Sequence, residues 1–132
     1  MEERTLEDYI DELDPPYESK EEAQIGHMLD EYGIPFFYKN PTIVYDQRQN
    51  KLEYPAFTIP THGGIVIDYM KSSYGDRYKY KQEMYEQNQI PAVIITQEDL
   101  QGATWQQQLY QTLNAYNQMP GYQQPSNDLA YK

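Results

Sequence analysis

The order of hydrophobic patterns along this chain predicts an α/β protein, a three-layer-like α/β/α sandwich around a mixed central sheet. Three observations carry that expectation. A helix-period segment at 19–32 precedes every strand-like run. Three β-rich runs then follow one another at 42–46, 53–59 and 64–69. A short apolar run at 92–96 lies between two further helical segments. The order is therefore helix, three-strand meander, helix, strand, helix.

Each element has its own signal. In the first helix, Ser19 and Glu22 form a capping-box pair, Ile25, Met28, Leu29 and Tyr32 recur at helical spacing, and Gly33 with Pro35 ends it. Asn50 and its polar neighbours are expected to turn the first strand into the second, and residues 60–64 the second into the third. Pro55 marks the second strand as an edge, a bulge or a strand start. A second helix is expected at 74–88. Residues 92–96 read as a fully buried strand, parallel to a neighbour. A last helix is expected at 98–116, with Leu100, Trp105, Leu109, Leu113 and Tyr116.

The flanks differ from this core. Residues 1–17 are an acidic arm, in which Leu6, Tyr9, Ile10 and Leu13 share one face of a short helix before Pro15 and Pro16. Residues 117–132 are rich in Gln and Pro and are expected to be disordered or to lie extended. The domain proper is 18–116.

Composition narrows the function classes. The absence of cysteine excludes disulfides and thiolate metal sites. The acidic start is unlike a signal peptide, and no apolar run nears the roughly 20 residues that span a bilayer. A cytoplasmic protein without a membrane partner is expected. The net charge of −11 argues against nucleic acid until its distribution is considered. Residues 1–36 hold 12 acids against Arg4 and Lys20, whereas residues 37–132 hold 9 acids and 8 bases. Lys71, Arg77, Lys79 and Lys81 form a local basic cluster, either a solvated helix surface or a nucleic-acid contact. The 15 tyrosines suit half-wet surfaces and interfaces.

Asp68 stands at the end of the apolar run Ile65-Val66-Ile67, where a carboxylate needs a partner. It follows Tyr54-Pro55-Ala56-Phe57-Thr58-Ile59 by about a dozen residues. Tyr74, Tyr78, Lys81 and Tyr85 recur at helical spacing downstream. With Glu22 upstream, these segments resemble the PD-(D/E)XK nuclease superfamily over roughly residues 18–100. The resemblance implies a restriction-endonuclease-like core and Mg²⁺-dependent hydrolysis of DNA. It implies Glu22, Asp68 and Lys81 as catalytic residues, with Asp68 as metal ligand and the lysine carried on the following helix. Lys71, Arg77 and Lys79 would be nucleic-acid contacts.

One position departs from that pattern. Ala56 stands where the family carries its metal-binding aspartate, and an alanine cannot hold a cation. The expectation is a nuclease-like domain that binds Mg²⁺ weakly or not at all and is inactive. Glu53 is expected on the opposite face by alternation and so does not replace the missing ligand. Glu22 has two competing roles, a site carboxylate or the second half of a capping box. Two scattered histidines, His27 and His62, have no metal-ligand spacing. The rival expectation is a non-catalytic protein-interaction or structural module, for example of a phage or multi-subunit assembly, contacting partners through the acidic arm or the tyrosine-rich surface.

Overall fold

The computed structural model describes residues 15–117. The expected helix within the acidic arm and the tail 118–132 lie outside these residues. The described chain is a mixed α/β fold. Its elements are α1 (Lys20–Glu31), β1 (Phe37–Tyr38), β2 (Thr42–Asp46), β3 (Gln49–Glu53), β4 (Phe57–Ile59), β5 (Ile65–Met70), α2 (Asp76–Gln87), β6 (Ala92–Thr96), α3 (Gln97–Gln101) and α4 (Trp105–Asn117).

The sheet differs from the expected meander. Four strands form the main sheet in the order β1-β4-β5-β6, while β2 and β3 pair only with each other. The physical reason lies in two places. Gln47 and Arg48 both take positive φ, 51° and 68°, and make a two-residue hairpin turn. The turn is therefore there and not at Asn50, which pairs with Tyr45 inside β3. Pro55 then separates β3 from β4, so the expected second strand is two strands in two sheets.

In the main sheet β4 runs antiparallel to β1 and β5, and β5 runs parallel to β6, with Asp68 paired to Ile94. β5 is thus central, as its apolar run suggests. β6 is an edge strand and only half-buried except at Ile95 and Thr96, which corrects the fully buried strand expected there. The last helix is also two. Thr96 and Asp99 form a reciprocal capping box on α3, and Gly102 ends it in extended backbone before α4 starts.

Alternation along β5 divides the core. Ile65 and Ile67 pack with Ile25, Met28 and Leu29 of α1 and Leu109 and Leu113 of α4. Val66 packs with Val44 of the hairpin and Met84 and Tyr85 of α2. Helices α1 and α4 therefore cover one face of the sheet, and α2 with the hairpin covers the other. Tyr17 closes the first face. Its ring lies across α1 so closely that a Cβ at position 26 would collide with the hydroxyl oxygen, which is why Gly26 sits mid-helix. No described helix is long and apolar enough to cross a membrane.

Candidate functional site

Asp68 is the fourth residue of β5 and points to the α2 side, where it is buried. Its Oδ1 accepts the Ala56 amide N–H at 2.9 Å, and its Oδ2 accepts the Tyr85 hydroxyl. Burial and then the nearby Asp68 charge push the Tyr85 phenol up. Lys81, one turn before Tyr85 on α2, places Nζ 2.6 Å from Glu53 Oε1 and 3.8 Å from Asp68 Oδ2. Glu53 closes β3 and also faces Lys51 at 3.5 Å. Further along the hairpin, the Tyr80 hydroxyl donates to Asp46 at 2.5 Å and accepts from Lys51 at 2.5 Å. The Tyr80 hydrogen bond is the main reason the Asp46 carboxyl is held down, although burial opposes it. The same hydroxyl, followed by Asp46, holds the Lys51 ammonium up.

Glu22 approaches from α1. Its N–H bonds Ser19 Oγ at 3.1 Å, which completes one half of a capping box. Its carboxylate does not turn back to the cap. Oε1 accepts the Tyr38 hydroxyl at 2.5 Å and Oε2 accepts Lys39 Nζ at 3.3 Å. Lys39 also meets Glu18 at 2.8 Å. Burial and the Glu22 hydrogen bond push the Tyr38 phenol up. Burial pulls the Lys39 ammonium down, but Glu18 and Glu22 outweigh it and the net shift is upward.

A cleft of about 510 Å³ opens between these groups. Its walls carry Glu22, Lys39, Asp68, Lys71, Arg77 and Lys81, with Tyr54, Tyr69 and Tyr74 around them. Lys71 reaches the same cleft as Asp68 because β5 ends at Met70, so strand alternation no longer governs it. Lys79 is not in this cleft. It lines a separate groove with Gln82, Glu86 and Ile90.

Two expectations are corrected. Ala56 does not line the cleft; it is fully enclosed in the apolar cluster with Ile25, Phe57 and Ile67, and touches Asp68 through its backbone N–H. Glu53 belongs to the charge cluster, because the break at Pro55 means that counting alternation from 53 to 56 has no meaning. Tyr38 and Lys39 were not singled out for this site, and long-range contacts bring them there; Tyr54 and Tyr74 stood in the segments that carry the resemblance without a role of their own. Tyr85 was visible as part of the α2 spacing.

Mg²⁺ takes near-octahedral oxygen ligands at about 2.0–2.1 Å, one or two of them usually carboxylates, and each candidate carboxylate here already has partners. Asp68 is occupied by an amide and a phenol, Glu53 by two lysines, and Glu22 by a phenol and a lysine. Among the described residues no three His, Cys, Asp or Glu side chains are grouped to hold a metal. His27 makes an edge contact with Tyr17, and His62 Nδ1 lies 2.8 Å from Thr61 Oγ1. No family model, no curated protein and no solved structure matches the chain.

Proposed function

We propose that this chain is a nucleic-acid-binding domain on a restriction-endonuclease-like fold, and that it does not hydrolyse its ligand. One observation carries the reading. Glu22, Asp68, Lys71, Arg77 and Lys81 come from α1, β5, the β5–α2 connection and α2, and they line one cleft. Lys39, Lys71, Arg77 and Lys81 all reach the cleft, where Lys39 is paired with Glu18 and Glu22, and Lys81 with Glu53. Among the described residues Lys71 and Arg77 have no ion-pair partner, so both are free to meet phosphate.

Hydrolysis of a phosphodiester by the resembled mechanism needs carboxylates that hold a cation and a lysine free to act on the nucleophile or the phosphate. In this chain both Asp68 oxygens accept hydrogen bonds, from Ala56 and Tyr85, and Lys81 lies closer to Glu53 than to Asp68. The cleft then binds through Lys71 and Arg77 and leaves the strand intact. Fluorescence anisotropy with labelled oligonucleotides at two salt concentrations tests this. Binding should weaken with salt, and the Lys71→Ala/Arg77→Ala pair should flatten the salt slope by about 2, one per lost phosphate contact. Unchanged binding in the double variant overturns the assignment to this cleft.

A second reading, a protein-interaction module, is favoured by the hairpin. Ile43 and Leu52 are paired across β2 and β3, Tyr45 lies on the same side, and all three are exposed, Ile43 at 70 %. Failure of every oligonucleotide to bind would move this reading to first place.

A further inference from the structure

Two tyrosines stand at the cleft without structural work to do. Tyr74 is 79 % exposed and Tyr54 is 51 % exposed, and neither ring has an aromatic or hydrogen-bonding partner among the described residues. They come from different segments, Tyr54 from the β3–β4 connection and Tyr74 from the β5–α2 connection. Tyr74 has an ordered backbone in its own loop. Its N–H bonds Ser72 Oγ at 3.0 Å, and Gly75 follows at φ +98° before α2 begins. Rings exposed at a cleft offer apolar area that a ligand can cover with a gain in free energy. Lys71 and Arg77 flank Tyr74 in sequence and line the same cleft.

We propose that the cleft takes single-stranded nucleic acid, with bases stacked on Tyr74 and Tyr54 and the backbone phosphates on Lys71 and Arg77. This rests on the nucleic-acid reading above and adds the strand class. Unpaired bases offer their faces to aromatic side chains, whereas a duplex keeps them stacked inside. A cleft of about 510 Å³ also falls within the range of small-ligand sites, about 300–1,000 Å³, a scale suited to individual nucleotides. The Glu22 and Asp68 carboxylates in the walls repel phosphate, so the backbone follows the Lys71 and Arg77 side of the cleft.

The test is anisotropy on the full chain with four probes of equal phosphate number, about 12 nucleotides long to cover the usual site size. They are oligothymidylate, oligouridylate, an abasic strand and a hairpin duplex. The proposal expects a base-bearing single strand to bind more tightly than both the abasic strand and the duplex. Tyr74→Ala should lower that affinity about fivefold or more and leave abasic binding unchanged. Tyr54→Ala should act in the same direction, and Tyr74→Phe, which keeps the ring, should retain wild-type affinity. Tighter binding of either base-bearing strand supports the proposal and identifies DNA or RNA as the source. Equal binding of all four probes, with Tyr74→Ala neutral, overturns the stacking proposal while the cleft remains a phosphate site. No binding of any probe overturns both.

Discussion

The Asp68 carboxylate accepts the amide N–H of Ala56 at 2.9 Å, one step beyond the last ladder pair of β4 and β5, Phe57 with Ile67. A side chain thus continues the strand pairing where backbone pairing stops. The same carboxylate takes the Tyr85 hydroxyl from α2. Asp68 therefore ties the start of β4, the centre of the sheet and a helix on one face.

Asp68→Ala should destabilise the fold by roughly 2–4 kcal/mol, because it leaves a buried phenol and an amide without their acceptor. Asp68→Asn keeps one acceptor and should cost less. Urea unfolding of the two variants measures the difference. Equal, near-zero losses would mean that Asp68 is not a structural pin.

Ala56→Asp places a carboxylate in the closed apolar cluster around Ile25 and Phe57. It should cost about 3 kcal/mol or more, through overpacking and an uncompensated buried charge. Thermal unfolding with and without Mg²⁺ reads this out. The melting temperature should fall, and Mg²⁺ should not restore it. A Mg²⁺-dependent rise would identify position 56 as the one defect in a cation site.

Lys81→Met retains the aliphatic stem but leaves Glu53 and Asp68 facing each other without the ammonium between them. The expected loss is about 1–3 kcal/mol, given the partial burial of the pair. Glu53→Gln in the same background should recover part of it in a double-mutant cycle. Strict additivity would show that Lys81 and Glu53 are not coupled.

Much of the fold was legible because local pattern and tertiary structure agree. Ile25, Met28 and Leu29 mark the buried face of α1, and Ile65-Val66-Ile67 marks the central strand. What was hidden depends on single backbone choices. A hairpin turn at Gln47-Arg48 contains no glycine to announce it, and β1 has only Phe37 and Tyr38. The meander failed because Pro55 detaches β3 from β4, and alternation cannot see such a break. Glu22, Asp68 and Lys81 were marked by the family resemblance of their own segments, and the structure puts all three at one cleft. Lys39 could not be, since nothing near it in the chain marks it for the cleft, and Glu53 was set aside because alternation was counted across Pro55.

Alkaline pH should unfold the domain earlier than its exposed tyrosines alone would suggest. Burial and then the neighbouring carboxylates hold the Tyr85 and Tyr38 phenols above their usual value of 10.0. The unfolded chain therefore loses these protons first, and stability falls as pH rises past about 10. Lys39, held above 10.5 on balance by Glu18 and Glu22, acts in the same direction, its contribution complete below 10.5 and lost above it. Tyr85→Phe should shallow the slope of stability against pH between 10 and 12. An unchanged slope would mean that Tyr85 is not held protonated by the fold.

The most direct measurement is one titration in Mg²⁺-containing buffer, with the same labelled single strand followed by anisotropy and then by denaturing gel. Salt-sensitive binding that requires Lys71 and Arg77, with the strand recovered at full length, is the expected result. Mg²⁺-dependent cleavage that is abolished by a well-folded Asp68→Asn variant, or no binding at any salt concentration, would contradict a non-hydrolytic nucleic-acid cleft.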